Sequence, residues 1–512
     1  MSAPRPDLVD DARPLVRRLG KPPEDWRRAD LVDLCTRDGI RVVNFRYPGL
    51  DSKLKELRIP VSSHAYLDRV LAAGERVDGS SLFPGVLDPT HSDLYVLPVY
   101  RWAFLNPWAD DELDVVCRFA DASGEPSRFT PDNVLAGAAA RMRERTGAEL
   151  LALAEPEFYL FVDGENPRFT SKIQRNYHQS APYLRSRPIA DQILRVVSDV
   201  TGRVKYSHSE VGYMDRITSD EREIDGKRVE QYELEFDLMP VEDLGTWLSV
   251  ARALIRVIAD RHGASVSYLP KLDEGMAGSG MHVHLALARD GRNVMRGDGG
   301  GLSEDAYGMI GAFLEHADGL TGFGNTVAAS YLRLVPGQEA PTRVCWGAHN
   351  RAGLLRVPLA FDTPARLDRV MNPREDGAYP EGVARPTIEY RSPDGSAYPH
   401  LLLAAVAMCA AAGVGSSDAV ALAHRLEVNP QKARDLEGFE QLPATAVAAA
   451  HALARDRAFF EQGGMSPRLI DIVIRKLEDE RDEGLGERLR ALPAAERLAA
   501  SRRLMHKDLH KH

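Results

Sequence analysis

Pairs of acidic residues two positions apart are the first feature of this sequence that could do chemistry. Glu155 and Glu157 lie in the apolar segment L-A-L-A-E-P-E-F-Y-L-F, and Glu233 and Glu235 lie in Q-Y-E-L-E-F-D. Residues two apart on a β-strand share one face, so each pair would point both carboxylates to the same side. Such pairs on an apolar strand need compensating cations or hydrogen bonds.

Two further segments repeat this spacing with other side chains. His282 and His284 alternate with apolar residues in G-S-G-M-H-V-H-L-A-L, and Glu389 and Arg391 do so in P-T-I-E-Y-R-S-P-D. A single pair of this kind favours an amphipathic strand with its polar face in water. Several pairs together favour a shared cavity, where neighbouring carboxylates repel one another unless divalent cations neutralise them. Mg²⁺ or Mn²⁺ suits a set of oxygen ligands with one imidazole nitrogen, and the lack of closely spaced cysteines disfavours structural zinc.

A stretch of arginines among apolar residues accompanies these pairs. Residues 331–358 contain Arg333, Arg343, Arg351 and Arg356 around Glu339, which lies in a Pro-Gly and Ala-Pro loop. Guanidinium groups match carboxylates and phosphates, although structural ion pairs explain any one of them equally well. Carboxylates, divalent cations and arginines together indicate phosphoryl transfer from a nucleotide, and the absence of a G-x-x-x-x-G-K-[ST] motif excludes a P-loop.

Composition and charge narrow the classes of function and the cellular location that the sequence allows. The chain has 512 residues, a formal net charge of -10 and scattered cysteines. The negative charge argues against a nucleic-acid-binding surface, and the cysteine spacing predicts reduced thiols. Because residues 401–414 are too few to span a membrane, they predict a buried helix. Prolines and acids near the N-terminus, where a secretory signal needs an apolar core, favour a cytoplasmic protein.

The order of predicted elements suggests an α+β protein with two domains. Residues 1–25 read as a flexible lead, and residues 26–125 as a small domain with two strands, a helix and two more strands. A helix that begins at Thr130 and Pro131 and stops before Gly147 opens the large domain, residues 126–512.

The sequence resembles the glutamine synthetase family over nearly its whole length. The resemblance rests on motifs that occur in the family's order: E-P-E-F at 155–158, G-S-G-M-H-V-H at 278–284, R-L-V-P-G-Q-E-A-P at 333–341, N-R-A-G-L-L-R-V-P at 350–358 and I-E-Y-R-S-P-D at 388–394. D-G-S-S at 78–81 with H-S-D at 91–93 is similar to the family's N-terminal domain. The resemblance implies an N-terminal β-grasp domain, a catalytic domain of antiparallel strands and helices, and stacked rings, expected to be a dodecamer, with active sites shared between subunits.

The resemblance also implies roles for individual residues. One metal would bind to Glu157, Glu210 and Glu233, and the other to Glu155, His282 and Glu389. Substrate-binding residues would be Arg333, Arg351, Arg391, Gly278 and Glu157, with ATP bound by Arg356 and His284. Glu339 would close over the site and take a proton from the amine, with Arg351 as its catalytic partner. The amine pocket would comprise Glu210, Tyr183 and Asp51.

Departures from the family pattern leave the amine substrate open. The turn Y-P-G-L-D-S shifts Asp51 from the position where the family has an aspartate, and Ala277 stands where an asparagine is common. The inserted residues 213–229 are expected beside the amine end of the site. The leading prediction is an ATP-dependent ligase that forms glutamine from glutamate and ammonia through γ-glutamyl phosphate, using two or more Mg²⁺ or Mn²⁺ ions. The alternatives are a γ-glutamyl ligase for a larger amine or polyamine, and an inactive structural or regulatory relative.

Overall fold

A computed structural model describes residues 11–511, except 52, 89, 91, 165–168, 298, 336, 337, 339, 361–366, 379–385 and 429–435. The described strands are β1 Val42–Pro48, β2 Leu54–Pro60, β3 Glu75–Asp78, β4 Asp93–Leu105, β5 Glu112–Ala120, β6 Glu149–Val162, β7 Val204–Met214, β8 Arg228–Phe236, β9 Met239–Pro240, β10 Ser265–Ser267, β11 Met281–Arg289, β12 Arg292–Asn293, β13 Trp346–Ala348, β14 Leu355–Val357 and β15 Ile388–Tyr390.

The described helices connect and cover these strands. They are α1 Pro14–Leu19, α2 Arg28–Asp38, α3 His64–Ala73, α4 Gly79–Leu82, α5 Pro131–Thr146, α6 Arg187–Thr201, α7 Val241–Arg261, α8 Glu304–Glu315, α9 Ala317–Gly324, α10 Ala328–Arg333, α11 Leu367–Met371, α12 Pro399–Gly413, α13 Ser417–Arg425, α14 Ala446–Arg455, α15 Arg457–Gln462, α16 Pro467–Glu478, α17 Leu485–Arg490 and α18 Ala494–His506. A short 3₁₀ turn spans Pro23–Asp25.

The N-terminal part is built on a five-stranded sheet in the order β2-β1-β5-β4-β3. Strand β1 pairs antiparallel with β2 and parallel with β5, so the sheet is mixed. Both predicted strand pairs are present, with β3 and α4 added between them. The β-grasp assignment stays a prediction. Helix α1 lies within the predicted flexible lead, but its Leu15 and Val16 are buried, so this described part is packed into the core rather than loosely attached.

The larger sheet carries the strands on which the sequence places its polar pairs. Its path is β13-β14-β15-β11-β6-β8-β7, with β9, β10 and β12 paired at its sides. The described pairings are antiparallel except for β13 with β14, which is parallel. Helix α5 begins with Pro131 and ends before Gly147, which has a φ of 64°. Glycine adopts this left-handed conformation without steric cost, which explains why the helix stops there.

Helix α12 belongs to the main hydrophobic core and is buried over nearly its whole length, as residues 401–414 predict. No single described helix is long and apolar enough to cross a membrane. Helices α12 and α13 taken together, with a bend of 107° at the short break between them, are long and apolar enough by length and composition alone.

The inserted residues 213–229 pack in a place that the sequence did not predict. Ile217 and Ile224 are buried in a second hydrophobic cluster with Leu509, which follows α18. Ser219 Oγ lies 2.9 Å from His506 Nδ1. None of residues 213–229 is among the residues that line the cavity described below. Their expected place beside the amine end of the site stays a prediction. Their apolar side chains are satisfied by the chain's own C-terminal segment.

Candidate active site

Strand register brings the polar pairs of the sequence to one place. His282 lies opposite Glu155, and His284 opposite Glu389. Glu233 lies opposite Glu157 on one neighbour and His208 on the other. Because residues opposite each other in an antiparallel pair have neighbouring side chains, the four predicted pairs share one surface of the sheet.

This surface is the floor of a cavity of about 740 Å³. Its lining includes most of the residues that the sequence singles out: Glu155, Glu157, Glu210, Glu233, Glu235, Gly278, His282, His284, Arg333, Arg351, Arg356, Glu389 and Arg391. The predicted convergence of the period-two pairs on one cavity is therefore present in the fold.

One group of side chains, which we call the first acidic cluster, consists of Glu155, His282 and Glu389. Each offers a ligand atom within 4.8 Å of the others. His282 Nδ1 lies 3.2 Å from Glu155 Oε2 and 3.7 Å from Glu389 Oε1. The other ring nitrogen of His282, Nε2, is buried and has no hydrogen-bond partner among the described residues. A buried polar atom left without a partner is costly, which indicates that a further group completes this site.

The second acidic cluster consists of His208, Glu210 and Glu233, whose ligand atoms also lie within 4.8 Å of one another. His208 Nε2 is 3.1 Å from Glu233 Oε1, and its Nδ1 is 3.8 Å from Glu210 Oε1. Sequence reasoning missed His208, although His208 and Glu210 show the same spacing of two on a strand. Glu157, predicted as a ligand together with Glu210 and Glu233, lines the same cavity and accepts a hydrogen bond of 2.6 Å from Gln231 Nε2. Its role as a metal ligand stays a prediction.

The carboxylates repel one another where they are buried together. Burial raises the pKa of Glu157, and the negative charges of Glu210 and Glu233 raise it further. The pKa of Glu233 is raised in the same way, by burial and then by Glu155 and Glu210. For Glu155, burial acts in the same direction, but His284 and His282 bring its pKa below the ordinary value. The cavity thus holds more negative charge than its own side chains neutralise.

The composition of the two clusters fits divalent cations. Each offers two carboxylates and one imidazole, and hard cations such as Mg²⁺ and Mn²⁺ take mainly oxygen ligands with occasional nitrogen. The unpartnered His282 Nε2 and the raised pKa of Glu233 both indicate missing positive charge. The same residues could therefore hold one cation in each cluster.

Arginines border the cavity beside the first acidic cluster. Arg356 Nη1 is 2.7 Å from Glu389 Oε2, and Arg391 Nε is 3.1 Å from Glu389 Oε1. Arg391 also donates to the carbonyl of Arg351. Arg333 is buried, and its Nη1 donates to the carbonyl of Ser392 at 2.7 Å. These groups place positive charge next to the acidic clusters, where an anionic substrate would meet both.

Comparison with known proteins agrees with this geometry. Residues 129–483 match the family model described as glutamine synthetase, catalytic domain. The chain belongs to the glutamine synthetase family. Members of this family are ATP-dependent carbon–nitrogen ligases, and this chain is an enzyme of that kind.

Relatives and solved structures give the extent of the similarity. A glutamine synthetase from Halobacterium salinarum is 29% identical over 443 residues, which cover 84% of this chain and 88% of the relative. The fold is similar to that of Plasmodium falciparum glutamine synthetase, with a TM-score of 0.70 and 17% identity over 92% of this chain and 98% of that one. It is also similar to a structure described as apo GmaS without ligand, with a TM-score of 0.66 and 20% identity over 92% and 98% of the two chains.

Gly278 shows why this glutamine synthetase fold needs glycine beside its arginine. A Cβ atom at this position would lie 2.6 Å from Arg333 Cγ and 2.7 Å from the carbonyl oxygen of Pro270. Both distances are shorter than van der Waals contact, so a side chain here would displace Arg333.

The predicted amine pocket is only partly assembled in this chain. Glu210 lines the cavity, but Tyr183 does not, and its ring packs at 5.9 Å against Phe169. Tyr177 lines the cavity instead. Asp51 also lies away from this cavity and pairs with Lys55 Nζ at 2.7 Å. Its expected place is the site of a neighbouring subunit, and that role stays a prediction.

Of the arginines in residues 331–358, some line the cavity and one has a structural contact elsewhere. Arg343 does not line the cavity, because its Nη1 donates to the carbonyl of Phe439 at 3.0 Å. Arg343 thus has the structural role that the sequence left open for any one of these arginines. Glu339 lies outside the described residues. Its neighbour Gln338 lines the cavity and accepts a hydrogen bond from Lys271, whose pKa is lowered to about 8 by burial and by Arg333.

Proposed function

We propose that this chain joins glutamate to ammonia to form glutamine through γ-glutamyl phosphate. The observation that carries the proposal is the pair of acidic clusters bordered by arginines in one cavity. An oxygen of the glutamate γ-carboxylate would attack the γ-phosphorus of ATP, and ADP would leave. The amine nitrogen would then attack the acyl carbon, phosphate would leave, and Glu339 would take the amine proton.

The residues divide these tasks by their chemistry. The first and second acidic clusters would each hold one Mg²⁺ or Mn²⁺ ion, which would supply charge stabilisation at the transferring phosphoryl group. Arg333, Arg351 and Arg391 would bind glutamate and the phosphate, while Arg356 and His284 would bind the nucleotide. Glu157 would join Glu210 and Glu233 in holding the second ion, because these three buried carboxylates repel one another without a cation.

A larger amine is a second candidate because of the aromatic side chains near Glu210. The ring of His208 lies 4.2 Å from that of His178 and 5.5 Å from that of Tyr177, and 53% of Tyr177 is exposed. Aromatic faces bind alkylammonium groups. The pairing of Asp51 with Lys55 would also weaken its contribution to ammonium binding, unless it is released in the assembly.

The test is ADP release by the purified protein with glutamate, Mg²⁺, ATP and one amine at a time, at one pH. Ammonium, methylamine, ethanolamine and putrescine form the panel, and each reaction is repeated without glutamate. The proposal expects glutamate-dependent turnover that Glu389→Gln abolishes and that Lys172→Met, at an exposed position outside the cavity, leaves unchanged. Higher catalytic efficiency with an organic amine would select the second candidate. No glutamate-dependent ADP release with any amine would contradict both.

From its membership of the family, we further propose that the protein is cytoplasmic and assembles into stacked rings, with a dodecamer as the expected form. Size-exclusion chromatography with light scattering tests the assembly. A stable monomer with full activity would contradict active sites shared between subunits.

A further inference from the structure

A third group of carboxylates lies beside the two clusters already described. This third acidic cluster consists of Glu155, Glu233 and Glu235, whose ligand oxygens lie within 4.8 Å of one another. Glu155 and Glu233 also belong to the first and second clusters, so Glu235 is the added member. Its side chain is 2% exposed, and one oxygen, Oε2, is buried without a hydrogen-bond partner among the described residues. Three carboxylates at this range need positive charge nearby.

Two basic side chains meet this cluster: His284 Nε2 lies 3.1 Å from Glu155 Oε1, and Lys205 meets the added member, Glu235. Lys205 Nζ lies 2.6 Å from Glu235 Oε1, and Lys205 lines the cavity. Its ammonium group also lies 4.9 Å from the centre of the Tyr206 ring. The lysine is thus held between a buried carboxylate and an aromatic face, two partners that favour a cation.

The backbone of β7 explains how the lysine reaches this place. Val204 pairs with Phe236 and Tyr206 pairs with Glu235, so two steps along β7 correspond to one step along β8. Lys205 is the extra residue of this irregularity. A β-bulge changes the direction in which a side chain points, and here the side chain of the bulged residue itself meets Glu235.

An ammonium group and a divalent cation compete for the same carboxylates. A metal ion shared by Glu155, Glu233 and Glu235 would lie close to the Lys205 ammonium, and the two positive charges would repel each other. We propose that Lys205 is a built-in cation that neutralises Glu235 in the third acidic cluster, so that this chain binds two divalent ions per site and not three. This inference rests on the proposed metal-binding role of the first two clusters.

The experiment counts bound Mn²⁺ per chain, with free Mn²⁺ measured by electron paramagnetic resonance during titration of the full-length protein. The wild type is expected to bind two ions. Lys205→Met is expected to bind a third, because Glu235 then lacks its cation. Lys205→Arg retains the charge and should stay at two, as should Lys205→Met combined with Glu235→Gln. Lys172→Met is the matched control at an exposed lysine outside the cavity.

Circular dichroism and thermal melting establish that each variant is folded, which is expected because the Lys205 side chain is 46% exposed. Three ions in the wild type would overturn the inference while leaving the proposed function intact. Two ions in both the wild type and Lys205→Met would also overturn it. No bound Mn²⁺ in the wild type would overturn the inference together with the metal-dependent part of the proposed function.

Discussion

Two glutamates on β8, three residues apart, show how differently one strand can use a buried carboxylate. Glu230 is fully buried and accepts hydrogen bonds from Arg185 N at 2.9 Å, Ser186 N at 3.0 Å and Ser186 Oγ at 2.5 Å. Glu233, on the opposite face, meets His208 and the acidic groups of the cavity. The carboxylate of Glu230 is satisfied within the protein, whereas that of Glu233 needs a cation from outside. A buried charge therefore does not by itself identify a cation-binding site. A buried charge without enough hydrogen-bonding or oppositely charged partners does.

The largest expected effect comes from Glu233→Gln. Amide substitution keeps the shape of the side chain but removes a charge that the second acidic cluster needs to hold a cation. We expect ADP release to fall by about a hundredfold or more. Without added metal, the free energy of unfolding should stay equal or rise by up to about 1 kcal/mol, because repulsion from Glu155 and Glu210 is removed. Chemical denaturation with and without Mg²⁺ measures this difference.

The stabilisation by Mg²⁺ is the control within that experiment. A ligand that binds only the folded state raises its stability, so Mg²⁺ should stabilise the wild type more than Glu233→Gln. Wild-type activity in the variant, or equal stabilisation of both proteins by Mg²⁺, would show that Glu233 does not need a cation from outside the protein. Glu233 would then not differ from Glu230 in this respect.

Glu230→Ala should show the reverse behaviour. Its removal leaves the backbone N–H groups of Arg185 and Ser186 and the Ser186 hydroxyl without their acceptor. Each unsatisfied buried group costs about 1 to 3 kcal/mol, so we expect a loss of roughly 3 to 5 kcal/mol in the free energy of unfolding. The affinity for Mn²⁺ of the chains that remain folded should be unchanged. If Glu230→Ala instead abolished Mn²⁺ binding without lowering stability, Glu230 would belong to the site.

The sequence predicted the cavity better than its surroundings. Spacing of two on four strands was sufficient for Glu155, His282 and Glu389, because the pleat of a strand fixes the face on which such residues lie. The same spacing places Glu233 and Glu235 on one face of β8 and Glu230 on the other, but it does not show that the face of Glu230 is buried as well. The difference lies in Ser186, whose backbone and hydroxyl reach Glu230 from a distant part of the chain.

The loops were the least predictable part of the site, because their side chains are also positioned by contacts with distant parts of the chain. Tyr177 and Tyr183 both lie in an irregular segment between β6 and α6, where no periodicity determines which ring faces the cavity. The direction of residues 213–229 depended on Leu509 and His506, which lie far away in the sequence. Such long-range contacts are tertiary and leave no local signal.

His400 is a buried titratable group whose charged neighbour, Arg118, carries the same sign of charge as protonated histidine. Burial, and then Arg118, lowers its pKa to about 4, so it is neutral in the folded protein. The unfolded chain takes up this proton first as the pH falls. The associated stability is therefore present above about pH 6.5 and is lost as the pH falls towards 4, by about 3 kcal/mol.

His400→Leu should remove this contribution to the pH dependence. The measurement is the difference in the free energy of unfolding between pH 7.5 and pH 4.5, which should be smaller in the variant than in the wild type by roughly 2 to 3 kcal/mol. His64→Leu, at an exposed position, should keep the wild-type difference. An unchanged pH dependence in His400→Leu would mean that His400 is protonated in the folded protein or is not buried there.

The smallest effect is expected where charges are paired at the surface of the C-terminal segment. Arg502 contacts Asp273 through two hydrogen bonds, Nε to Oδ1 at 3.2 Å and Nη2 to Oδ2 at 2.7 Å, and the Asp273 side chain is 10% exposed. The next residue, Arg503, lies 3.9 Å from Asp220, and these side chains are 62% and 73% exposed. Paired, partly buried charges contribute more than exposed ones, so these neighbours form a matched test.

Arg502→Ala should lower the free energy of unfolding by about 1 kcal/mol, and Arg503→Ala by less than about 0.3 kcal/mol. Amide hydrogen exchange should become modestly faster around Asp273 in Arg502→Ala, because this loop loses one of its contacts with α18 while Glu274 keeps its hydrogen bonds with Arg497 and Ser501. The turnover number should stay near the wild-type value in both variants, since the Arg502 and Asp273 charges satisfy each other and neither lines the cavity. Equal effects of the two substitutions would show that the Arg502 pair is screened by water as fully as the Arg503 pair. A large loss of turnover in Arg502→Ala alone would instead show that α18 controls the cavity through the loop that leads to Gly278. The Arg502–Asp273 pair would then affect the chemistry of the cavity, although the two charges satisfy each other outside it.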